Sequence, residues 1–87
     1  MNGINEINEI NELSNLKEIR VRLITEQRDL SLKVEKLGIF LYSKGFDALT
    51  REMQDLLIEQ HCYMKQYLRV MNKRIAIINE QIKTLKK

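Results

Sequence analysis

From Leu57 to Leu85 the apolar positions recur at alternating steps of four and three residues: Leu57, His61, Met64, Leu68, Met71, Ile75, Ile78, Ile82 and Leu85. Only His61 in this series is polar. A 3.5-residue period held this long is tighter than the 3.6 of a lone amphipathic helix, and it predicts a helix packed lengthwise on partner helices. A second seam runs through Leu16, Leu23, Leu30 and Leu37, with Leu13, Arg20, Gln27, Val34 and Leu41 in the alternating places. Two roles fit Arg20 and Gln27. They specify register, as polar seam residues do, or they sit at the seam's edge with their heads in water. Ile19, Ile24, Leu32, Ile39 and Phe40 widen the apolar surface of this first helix, so it should meet more than one neighbour.

The pattern breaks at Tyr42-Ser43-Lys44-Gly45-Phe46. Gly45 is expected to end the first helix in a left-handed conformation. Phe46 to Leu49 should form a short turn that tucks apolar side chains under the hairpin. Thr50 suits an N-cap, with Glu52 in the first turn where an anion is favoured. The expected organisation is a low-complexity, helical or frayed extension over 1–12, a helix over 13–42, a loop and turn over 43–50, and a helix over 51–84. The extension repeats Ile-Asn-Glu three times. Its period of three makes Ile4, Ile7 and Ile10 drift round a helix, so a partner would be needed to receive them. A helix of about 34 residues is about 50 Å long. Two such helices make an all-α antiparallel hairpin, and one hairpin leaves apolar faces uncovered. An oligomeric bundle is expected, at least a dimer.

Composition supports helices and narrows the chemistry. The 87 residues contain no Pro and three Gly. Cys62 is the only cysteine, which leaves no intramolecular disulfide and no zinc-ligand spacing, and fits a reducing compartment. No apolar stretch reaches the length of a membrane span, so a cytoplasmic location is expected. Net charge is +3. Residues 46–60 are acidic, through Asp47, Glu52, Asp55 and Glu59. Residues 61–87 are basic, through Lys65, Arg69, Lys73, Arg74, Lys83, Lys86 and Lys87. That polarity complements the helix dipole; an anion site on the basic half is the alternative. Nucleic acid is disfavoured as a partner, because Lys65, Arg69, Lys73 and Lys83 are expected to scatter round the helix.

No catalytic constellation or metal-ligand cluster is legible, so neither catalytic nor metal residues are assigned, and no cofactor. His61 reads as a satisfied seam residue, and Cys62 points about 100° away from it. Beside the seam runs a polar column: Gln60, Tyr67, Arg74 and Gln81. Flanking positions of helical bundles usually hold Glu and Lys. An amide, a phenol and a guanidinium instead suit planar polar ligands, since Arg forks onto phosphate and Tyr stacks on rings. The alternative is hydrogen bonding across an oligomer interface, where Tyr and Arg are enriched.

The run Leu56-Leu57-x2-Gln60-x3-Met64-x2-Tyr67-x3-Met71-x2-Arg74-Ile75, with Arg28-Asp29-Leu30, Lys33 and Lys36-Leu37 upstream, resembles small phage-encoded helical-hairpin proteins related to those of crAss-like gut phages. The resemblance covers residues 26–76 and implies a phage origin and a non-enzymatic helical protein. At the level of architecture alone the chain is also similar to the anti-CBASS and Thoeris anti-defence sponges, which trap cyclic nucleotide signals at subunit interfaces. This implies a counter-defence protein in the host cytoplasm during infection. It would sequester a cyclic oligonucleotide or a cyclic ADP-ribose isomer without cleaving it. Tyr67 would stack on a base, Arg74 and Arg69 would hold phosphate, Gln60 would read a polar edge, and Arg28 and Lys33 would complete the pocket. The alternatives are a helical protein-interaction or structural module and, third, a weak nucleic-acid binder.

Overall fold

The computed structural model describes residues 3–86, with the backbone alone at 3–7 and 9. Two long helices, α1 (Gly3–Phe40) and α3 (Arg51–Lys86), flank one short helix, α2 (Lys44–Asp47). Cross-hairpin bonds from Arg20 to Asn79 and from His61 to Val34 set α1 and α3 antiparallel. The result is a rod of 69 × 16 × 14 Å. Its radius of gyration is 19.7 Å, against about 12 Å for a globular domain of this length. The backbone of α1 is helical through the Ile-Asn-Glu repeat. Ile10 is exposed there, and the side chains of Ile4 and Ile7 lie outside the described residues.

The heptad seam of α3 is the face that meets α1. Leu57, His61, Met64, Leu68, Ile75, Ile78 and Leu85 are half-buried, and Met71 and Ile82 are fully buried. In α1 the inward positions are Leu13, Leu16, Arg20, Leu23, Gln27, Leu30, Val34 and Leu37, with Ile24, Ser31 and Gly38 beside them. Of these, only Leu23 is buried to the same degree as Met71 and Ile82. Arg20 and Gln27 thus lie in the seam rather than outside it. The Arg20 guanidinium donates to Asn79 Oδ1 at 3.2 Å across the hairpin. A polar pair at one level of an apolar seam penalises sliding by a heptad, which is how such residues fix register.

The turn corrects one expectation. Gly45 does not adopt a left-handed conformation; no residue in the described chain has a positive φ. It lies inside α2 instead. The reason for glycine is space: a Cβ at Gly45 would stand 3.1 Å from Phe40 Cε1. The absent side chain lets Phe40 and Phe46 meet edge to face, with ring centroids 6.3 Å apart. Ser43 joins the ends of α1 and α2, donating to the Phe40 carbonyl at 2.6 Å and accepting from Phe46 N–H at 3.2 Å. Thr50 caps α3 as expected, its hydroxyl accepting from Met53 N–H at 3.2 Å. The Gln54 amide donates back to the Phe46 carbonyl at 2.9 Å and ties α3 to the turn.

His61 is a satisfied seam residue. Its Nε2 lies 3.1 Å from the Val34 carbonyl. Gly38, one turn further along α1, makes room for the ring: a Cβ there would approach Nε2 to 3.2 Å. Replacing an open helical Gly by Ala stabilises by about 1 kcal/mol. Here Gly38→Ala is expected to gain clearly less, because the imidazole must give way. In a His61→Ala background the gain should return. Urea unfolding of the four proteins should show a coupling of at least about 0.5 kcal/mol; additive effects would refute the notch.

Candidate functional site

The hairpin has two flanks, and helix periodicity assigns each side chain to one. Glu12 and Leu16 of α1 line a hollow with Ile77, Gln81 and Leu85 of α3. Three heptads from Glu12 along the same column stands Lys33. Three heptads back from Gln81 stands Gln60. Residues seven apart share a face, so Gln60, Tyr67, Arg74, Gln81 and Lys33 belong to this first flank. The second flank is marked by Gly38 beside His61 and by a groove joining Val34 to Lys65, Arg69 and Asn72. Arg28 falls on this side. It is five residues from Lys33, about 140° round the helix, and borders a shallow hollow with Gln27 and Ser31.

One hairpin therefore does not gather the six ligand candidates. Gln60, Tyr67, Arg74 and Lys33 share a flank, while Arg69 and Arg28 occupy the other. All six are exposed. Within the first flank, Gln60 and Arg74 are fourteen residues apart, or about 21 Å along the axis. They form a row rather than a pocket.

The best-formed part of that row is a shallow, mostly apolar hollow lined by Leu56, Glu59, Gln60, Tyr63, Met64 and Tyr67. Neither Tyr63 nor Leu56 is among the site residues assigned from the sequence. A signal for both is present all the same, because Leu56, Gln60, Tyr63 and Tyr67 continue a four-three spacing in a second phase. Tyr63 donates its hydroxyl to Glu59 Oε1 at 3.0 Å. That bond, and the charge of the Glu59 carboxylate, raise the Tyr63 pKa and keep the phenol protonated. Tyr67, half exposed, shares this hollow with Gln60, whose amide donates to Met64 Sδ at 3.6 Å.

The second flank corrects the expected scatter for three of the four basic residues named, Lys83 not being among those that line its groove. Lys65, Arg69 and Lys73 line one groove with Asn72. Their alignment follows from a spacing of four, which keeps them on one face of the helix. Among the described residues no three His, Cys, Asp or Glu side chains gather as a metal site, and no helix is long and apolar enough to cross a membrane. Cys62 is exposed as a free thiol.

The family model called Sequestin matches residues 17–77, well over half of the chain. The matched span takes in most of both seams, the turn and the row from Gln60 to Arg74. No curated protein matches the chain, and no solved structure does.

Proposed function

The chain belongs to the Sequestin family, and we propose that it is a phage counter-defence protein that sequesters a cyclic nucleotide immune signal between copies of itself. The signal is a cyclic oligonucleotide or a cyclic ADP-ribose isomer, held without cleavage. The family's name denotes sequestration, which fits binding rather than turnover.

The observation that carries this reading is the exposed row of Gln60, Tyr67 and Arg74 with Lys33 on the same flank. None of these side chains closes the hairpin, so packing does not account for them. Tyr67 stacks on a base, Arg74 forks onto phosphate, and Gln60 reads a polar edge. Lys33 adds a second cation. Arg69 and Arg28, on the opposite flank, reach the same ligand only from another copy.

A thermal-shift panel of cyclic dinucleotides, cyclic trinucleotides and cyclic ADP-ribose isomers tests the reading. A ligand at 100 times its dissociation constant adds about 2.7 kcal/mol of stability. One class should shift the midpoint clearly and be recovered intact after heat denaturation. Calorimetric titration of Tyr67→Ala/Arg74→Ala should then show affinity reduced at least about 100-fold, from the loss of one stacking contact and one charged hydrogen bond. A flat panel overturns the proposal. It would favour the second reading, a helix-docking module, for which the exposed Val21, Leu32 and Ile39 of α1 are the supporting observation.

A further inference from the structure

We infer that the second flank carries an anion site of its own, where Lys65, Arg69 and Lys73 of α3 and Arg28 of α1 hold a compact diphosphate through its phosphate oxygens. Lys65, Arg69, Asn72 and Lys73 are exposed along one groove, which the half-buried Val34 and Leu68 also line. Arg28 is exposed on the same flank of α1. It lies eight residues beyond Arg20, which meets Asn79, and six short of Val34, which meets His61. Counting back along the antiparallel α3 by the same steps puts Arg28 level with residues 67 to 71, and so with Arg69.

Two ordinary reasons for exposed cations on a helix do not apply here. The first is the helix dipole, whose effect is confined to the end turns. Lys65 is fourteen residues from the start of α3 and Lys73 thirteen from its end, more than three turns in from either. The second is ion pairing on the solvated face. Arg22, Arg51 and Lys83 each have a carboxylate one turn away, on Glu18, Asp55 and Glu80. Among the described residues none of the four cations of this flank is in an ion pair. Along α3 their neighbours at four residues are one another, a like-charge spacing that works against the helix. A bound anion removes that repulsion. Arg28 and Arg69 supply planar forks for phosphate oxygens, and the Asn72 amide adds an uncharged donor.

The surrounding carboxylates set the size of the ligand. Glu59 and Glu80 share the column of Lys73, and Glu35 shares that of Arg28. Each stands about 9–10 Å along the axis from the nearest of the four cations. Asp29 turns toward the first flank, one turn from Lys33, and Asp55 is taken by Arg51. Between Glu59 and Glu80 the three cations of α3 span about 12 Å. A longer polyanion would run onto a carboxylate at either end, whereas a diphosphate fits inside. The residues lining the groove include no aromatic ring, so a base would find nothing to stack on. The groove faces away from the Gln60–Arg74 row, and the site does not rest on the sequestration reading.

Calorimetric titration of the full chain tests this, with inorganic pyrophosphate, ADP and a single-stranded oligothymidylate as probes. Pyrophosphate should bind with a dissociation constant below about 1 mM at low salt. ADP should bind within about fivefold of it, since its base gains no stacking contact. Arg69→Gln should weaken pyrophosphate about 10- to 100-fold, through the loss of one charged hydrogen bond. Lys65→Gln is the independent second variant and should weaken it in the same direction. Lys83→Gln, outside the groove, and Tyr67→Ala/Arg74→Ala, on the opposite flank, should leave it unchanged. Circular dichroism should show the same helix content in every variant. Absence of pyrophosphate binding would overturn the site. So would a loss of binding in Tyr67→Ala/Arg74→Ala but not in Arg69→Gln, which would move the phosphate to the row. ADP more than about tenfold tighter than pyrophosphate would show a base contact and overturn recognition by phosphate alone. Oligothymidylate tighter than both would make the flank a nucleic-acid surface instead.

Discussion

Inserting one alanine between Lys65 and Gln66 is expected to melt the half of the hairpin beyond the insertion. One added residue turns everything after it by 100° and advances it 1.5 Å. Leu68, Met71, Ile75, Ile78, Ile82 and Leu85 would leave the α1 interface together. Full burial of such a side chain contributes about 1.5–3 kcal/mol. Six of them would amount to about 9–18 kcal/mol. Partial exposure halves that figure, because only Met71 and Ile82 are fully buried, yet the loss still rivals the total stability of about 5–15 kcal/mol typical of a folded domain. The thermal midpoint followed by circular dichroism should fall by at least about 15 °C. The matching control is one alanine inserted after Ala48, in the turn. There the connection absorbs the extra residue and the two seams keep their faces, so the midpoint should move little. Equal effects at both sites would show that the hairpin does not depend on the phase of the seam.

Met71→Ala should be the most damaging single truncation in α3. Met71 is 1% exposed and lies in the middle stretch of the seam. Truncating a buried Met removes transfer energy and leaves a cavity, together about 2–5 kcal/mol. So thin a core, with Leu23, Met71 and Ile82 its buried side chains, has little to collapse into the space. Urea unfolding at a fixed protein concentration should show a loss in this range. Ile58→Ala removes more carbon from a residue that is 51% exposed, and should cost under about 1 kcal/mol. If the two variants lose the same amount, burial in the hairpin does not decide stability.

The contrast between Met71 and Ile58 is legible in the residue spacing. The four-three steps place Met71 on the seam and Ile58 off it, and every seam position from Leu57 to Leu85 is half-buried or buried. The Thr50 cap is legible for the same local reason, since a side-chain oxygen three residues before an N–H has a defined partner. The candidate site is legible only in part. Its residues can be named as a column, because residues seven apart share a face. Their grouping cannot. Periodicity gives angles within one helix; which column of α1 shares a flank with which column of α3 is read from the hollows that join them. Those put Lys33 on the flank of Gln60 and Tyr67, and Arg69 and Arg28 on the other.

Two long helices, the face by which each meets the other, and the exposed polar row beside that face are therefore written in the order of residues alone. These are properties of spacing along one chain, set by the fixed rise and turn of the helix. Packing of the hairpin settles what depends on contacts between distant segments. Gly45 answers to the Phe40 ring rather than to backbone handedness, and Gly38 to the His61 imidazole. Arg20 finds Asn79, fifty-nine residues away, across a seam whose register no local pattern specifies. Each of these is a steric or hydrogen-bonding relation that spacing along one helix does not contain, and it exists only once the elements are packed.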